Sequence, residues 1–153
     1  MGFNNYSTKI NVHQTLGEIQ KILVENGARK IQLEYDDKGQ ILELKFFISS
    51  NSGDLFVKLP ANTEGVYSIL HAQRKKGEIK IKIDHDQALR VAWRNIKEWT
   101  EAQMALIAAG QAKIEQVFLP YVLNKNGQTF FEIFEENQKL LIENGEEPKG
   151  GTH

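Results

Sequence analysis

The side chains with chemistry to offer are few and dispersed. The histidines are His13, His71, His85 and His153. None shares the HxxxH or HExxH spacing that sets two imidazoles on one helix face for a metal. Asp84-His85-Asp86 is the one close His/carboxylate group. It reads either as part of a metal site or as a strand-to-helix junction in which Asp84 or Asp86 caps the next helix. Glu34, Asp36 and Asp37 cluster at a hairpin. Paired carboxylates do acid–base work in a cleft, whereas at a hairpin tip they are solvated turn residues. There is no cysteine, hence no thiolate ligand, Cys nucleophile or disulfide. The glycines from Gly17 to Gly145 stand singly, without a phosphate-cradling loop or a GxSxG elbow. These residues lead to the expectation of a non-enzymatic protein with no cofactor and no metal.

Charge is the more informative chemistry. Lys and Arg total 19 and Asp and Glu total 20, a net of −1. That excludes a polycation, but the charge is uneven. Residues 1–60 are neutral, 61–98 carry a net +3, and 99–153 carry a net −4. The basic middle contains Arg74, Lys75 and Lys76 in a loop, Lys80 and Lys82 on an alternating segment, and Arg90, Arg94 and Lys97 on a helix. The last three are four and three apart and share a helix face. Together the eight form a candidate surface for a phosphate backbone. The competing reading is a solvated face held by the i,i+4 pairs Asp86–Arg90, Arg94–Glu98 and Lys97–Glu101. Trp93, Trp99 and Tyr67 would stack on bases if exposed, but both tryptophans sit at core spacing with Leu89 and Ile96.

These residues need elements to position them. Thr15 and Glu18 form a T-x-x-E capping box, Leu16, Ile19, Ile22 and Leu23 make an apolar stripe, and Asn26-Gly27 stops the helix, placing it at about 16–26. Alternation then predicts strands over 30–35, 41–49 and 55–59, with Ile31, Leu33 and Tyr35 on one face and Leu42, Leu44, Phe46 and Ile48 on another. Short turns around Gly39 and Gly53 make the strands antiparallel neighbours. A helix over about 62–74 follows, then a fourth strand over 78–83 in which Ile79, Ile81 and Ile83 alternate with Lys80 and Lys82. Asp86 to Ala109 lacks Gly and Pro and keeps helical spacing. At about 36 Å it must pack across the sheet or project toward a partner. A short helix over 112–118 precedes Leu119-Pro120-Tyr121. Thr129 and Glu132 form a second capping box for a final helix to about Glu143, against a competing strand over 129–134.

The order predicts an α+β fold: an antiparallel sheet of three to four strands, with the N-terminal helix, the long helix and the C-terminal helices packed on one face. Residues 1–145 form one globular domain, large enough for a real core. Residues 146–153 lack apolar groups and are expected to be a loose tail. No apolar run approaches the roughly 18 residues of a membrane span, and the N-terminus is unlike a secretory signal. A cytoplasmic protein is expected, with no membrane partner.

The segment QALRVAWRNIKEW at 87–99, then Glu101-Ala102-Gln103 and Val117-Phe118-Leu119-Pro120-Tyr121, resembles a group of small proteins of phages, prophages and other mobile elements. Ser7-Thr8-Lys9-Ile10 and Gly27-Ala28 are similar too, and the likeness covers most of 7–135. It implies a setting in DNA replication, recombination or action against host defence, and assigns no residue a role. Three readings follow. The first is an accessory protein that binds single-stranded DNA or RNA through Arg74, Lys75, Lys76, Lys80, Lys82, Arg90, Arg94 and Lys97. The second is a protein-binding inhibitor of a host defence or nuclease complex, contacting a host or phage protein through Leu119, Tyr121 and Phe131. The third is a homo-oligomer assembled through the long helix.

Overall fold

The computed structural model describes residues 5–143. The expected tail at 146–153 lies outside them. Helix α1 spans Val12–Glu25. Its N-cap is Asn11, whose carboxamide oxygen accepts from the His13 N–H at 2.8 Å. The helix therefore begins before the expected Thr15–Glu18 box. Thr15 is instead buried, one turn in, beside Leu16, Ile19 and Leu23.

Strands β1 (Ala28–Tyr35), β2 (Ile41–Ser50) and β3 (Gly53–Lys58) form an antiparallel meander in that order. At the first turn the Asp36 carboxylate accepts from the Lys38 and Gln40 N–H groups at 2.8 and 2.9 Å. Between Glu34↔Glu43 and Tyr35↔Ile41 the register slips by one residue. That β-bulge reverses the facing of the residues before it. Ile41 is buried and Leu42, expected inward with Leu44 and Phe46, is exposed.

Helix α2 spans Thr63–Lys75 and helix α3 His85–Ala108. Asp84 caps α3, accepting from the Gln87 N–H at 2.8 Å. The expected fourth strand over 78–83 does not join the sheet, which has three strands among the described residues. Ile79 and Ile83 are buried against Leu70 of α2 and Val91 of α3. Alternation reports that the segment has one dry side; it does not say which surface dries it. The outer edge of β3 is met instead by Val122 and Leu123, the latter donating its N–H to the Phe56 carbonyl at 2.8 Å.

Helix α4 (Ile114–Phe118) runs into a 3-10 turn at Leu119–Tyr121, and α5 spans Phe130–Glu143. Thr129 Oγ1 accepts from the Glu132 N–H at 3.1 Å, so the second capping motif starts a helix and the competing strand is absent. The architecture is α+β.

The main core joins Leu16, Ile19 and Leu23 of α1 and Leu89, Trp93 and Ile96 of α3 to Leu44, Phe46, Ile48 and Val57 of the sheet. Trp93 is fully buried, while Trp99 is half-buried, edge-on to Phe118 and Tyr121. Burial along α3 continues from Gln87 to Met104, so the long helix packs over most of its length.

Candidate nucleic-acid interface

The basic residues separate into two groups by what their elements allow. Arg74 and Lys75 lie in the last turn of α2, where the unpaired carbonyls favour cations. The helix closes with a Schellman turn: the Gly77 N–H bonds the Arg74 carbonyl and the Glu78 N–H bonds the Gln73 carbonyl, each at 3.0 Å. Gly77 has φ +80°, which a Cβ would strain. With Ile79 and Ile83 anchored in the second cluster, Lys80 and Lys82 are turned outward. Arg74, Lys75, Lys76, Lys80 and Lys82 are all exposed. Among the described residues, the ion pairs involve none of these five. His71, Arg74, Lys75, Gly77, Ile79 and Lys80 line an open depression of about 320 Å³.

An aromatic ladder adjoins it. Tyr67 stacks on His85 with ring centroids 4.1 Å apart and lies near-parallel to His71 at 5.7 Å. Glu64 lies 3.5 Å from His85. Tyr67 is half-buried and His85 exposed, so the ladder has one wet edge.

The helix-borne group is committed to the fold. The Arg90 guanidinium donates to the Gln87 side-chain oxygen, at 3.2 Å from Nε. The Gln87 amide in turn donates to the carbonyls of Tyr6 and Thr8 at 2.8 and 3.1 Å, tying the N-terminal segment to α3. Arg94 pairs with Glu18 and reaches Thr15 across the α1–α3 seam, leaving 14% of its side chain exposed. Lys97 pairs with Glu101 at 2.8 Å. Of the three expected i,i+4 pairs this alone forms. Asp86 accepts from Gln40, and Glu98 accepts from Asn5.

Asp84-His85-Asp86 does not converge. Asp84 caps α3, His85 turns to Tyr67 and Glu64, and Asp86 faces Gln40. Among the described residues no three His, Cys, Asp or Glu side chains are grouped to hold a metal ion. Of the residues expected to meet a partner, Leu119 and Phe131 are exposed, 47% and 49%, while Tyr121 packs against Trp99 at the core edge.

The face of the sheet turned away from the helices was not legible from the sequence as a surface. Phe47 and Phe56 stack there at 4.1 Å, outside both buried clusters, with the Lys30 ammonium 5.7 Å from the Phe47 ring centre. Below them Glu43 lies between Lys58 at 2.9 Å and Lys45 at 3.3 Å, and Lys45 also meets Glu34 at 3.0 Å. Burial raises the Glu43 pKa, but hydrogen bonds and charge from Lys58 and Lys45 outweigh it and hold the carboxyl below its ordinary value. The hydrogen bond to Glu34, together with Glu43, raises Lys45 against the effect of burial. Period-2 alternation identifies such residues only as outward; their pairing depends on register.

Among the described residues, no helix is long and apolar enough to cross a membrane. No protein-family model, curated protein or solved structure matches the chain.

Proposed function

We propose that this protein binds single-stranded DNA or RNA through the α2–α3 loop, as a non-enzymatic accessory protein of a mobile element acting in replication or recombination. The observation that carries the reading is the set of five exposed cations that form no ion pair among the described residues, Arg74, Lys75, Lys76, Lys80 and Lys82, of which three line one depression. Such a cluster neutralises phosphates and releases their counterions. The wet edge of the Tyr67–His85 stack beside it offers bases an aromatic surface. Arg90, Arg94 and Lys97 serve the fold in this reading and leave the binding surface.

Fluorescence anisotropy with labelled oligonucleotides tests it. With four or five phosphate contacts, log affinity falls against log salt with a slope of about −3. The pair Lys75→Glu and Lys80→Glu reduces affinity at least tenfold with the fold intact by circular dichroism. Absence of binding to either polymer at low salt overturns the proposal.

A second reading, a protein-binding module, is favoured by one observation. Helix α5 leaves Phe130, Phe131, Phe134, Leu140 and Ile142 exposed, next to exposed Leu119.

A further inference from the structure

Helix α5 is amphipathic, yet five of its described apolar side chains are exposed. At 100° per residue, Phe130, Phe131, Ile133, Phe134, Leu140 and Ile142 occupy about 200° of its circumference. Glu132, Glu135, Glu136, Lys139 and Glu143 fill the rest. A helix of this kind ordinarily turns its apolar arc onto the body. Here Ile133 is half-buried, and the exposed fractions of the other five run from 43% at Phe130 to 70% at Ile142.

The given sequence outside the described residues is poor in large apolar side chains. Residues 144–153 contain no Phe, Tyr or Trp and no aliphatic side chain larger than Pro148. Residues 1–4 offer Met1 and Phe3 alone. Aromatic side chains bury about 200 Å² each, so Phe130, Phe131 and Phe134, half-exposed, leave about 300 Å² of apolar surface, and Leu140 and Ile142 bring the patch to at most about 500 Å² per chain. That is at the upper end for an unpartnered patch. Two such faces meeting would bury up to about 1,000 Å², the lower bound for a specific pair.

We propose that α5 pairs with α5 of a second copy of this chain, antiparallel and across a two-fold axis. The inference rests on the reading of this face as protein-binding and names its occupant. A two-fold contact asks only that the patch be complementary to itself. The apolar arc meets that demand, because it holds no charge and its polar side chains, Asn137 and Gln138, are neutral. The four glutamates lie on the opposite arc, so pairing keeps the acidic sides of the two helices apart in water. Leu119, on the turn against which α5 packs, extends the same apolar surface.

Sedimentation equilibrium on the full chain tests the proposal. The expected mass is twice the 17.5 kDa of one chain at micromolar concentration. Phe134→Glu should return it to one chain mass with unchanged circular dichroism. Because the chain has no cysteine, Asn137→Cys, near the middle of the apolar arc, should oxidise to a disulfide-linked pair. Lys139→Cys, on the opposite arc, should cross-link at least tenfold more slowly. A dimer that survives Phe134→Glu, or equal cross-linking at both positions, overturns the proposal. So does a wild-type monomer, and binding of an apolar dye then separates its causes. Dye binding that Phe134→Glu abolishes leaves the face free for a different protein. No dye binding means the face is covered within the chain, and the protein-binding reading fails as well.

Discussion

Arg94 shows how one residue type divides between binding and structure. Its spacing with Arg90 and Lys97 reads as a basic helix face, but its guanidinium lies in the α1–α3 seam against Glu18 and Thr15. Helical periodicity assigns residues to a face without saying what covers it. Replacing Arg94 with Met keeps the stem that fills the seam and removes the charge-assisted hydrogen bond. Arg94→Met should lower stability by about 1 kcal/mol, read as a urea midpoint shift at unchanged slope. It should leave oligonucleotide affinity within a factor of two. A tenfold loss of affinity would return Arg94 to the binding surface.

At the scale of elements, the end of α2 matters most to the proposed function. The Schellman turn at Gly77 aims Arg74 and Lys75 one way and starts the segment carrying Lys80 and Lys82. A Cβ at Gly77 meets nothing within 4 Å, so the cost of Gly77→Ala comes from φ alone. That cost is about 1 kcal/mol. Thermal unfolding should show it, with a measurable loss of oligonucleotide affinity because the cations are re-aimed. Unchanged affinity would detach the turn from binding. The outer face of the sheet gives a second prediction, in pH. Glu43 has a depressed pKa in the folded state, so its contribution is full above the ordinary value of 4.5 and is lost as pH falls through the folded pKa. Lys45 has a raised pKa, so its contribution is full below 10.5 and is lost as pH rises through the folded pKa. Stability from urea unfolding should therefore hold across neutral pH and fall at both ends, and Glu43→Gln should flatten the acid limb. An acid limb of equal slope in that variant would assign the loss to other carboxylates.

For the whole molecule, α3 is the shared wall of two cores. Trp93 and Ile96 face the sheet, and Val91 faces Leu70, Ile79 and Ile83. The proposed binding loop is thereby built on the α2 side of α3, and its stability is expected to follow that of the whole. Val91→Ala, which cuts only the second cluster, should cost about 2 kcal/mol. It should shift circular dichroism and tryptophan fluorescence transitions together. Separate transitions would show that the α2 layer unfolds independently.

The amino-acid order by itself determined the meander, the long helix from about Asp86 onward and the clustering of positive charge between 74 and 97; it placed Trp93 at core spacing and offered Thr129 as a cap against a competing strand. Each follows from local chemistry: periodicity, turn residues and caps act over a few residues. Only the tertiary structure decided what those elements meet. It sent Ile79 and Ile83 to α2 and α3 instead of the sheet, put Leu42 outside through a bulge, locked Arg94 against Glu18, and left five apolar side chains of α5 exposed. The reason is common to all four. A hydrophobic or charged pattern states that a side chain wants a dry surface or a counter-charge. The partner lies on another element, where no local period reaches.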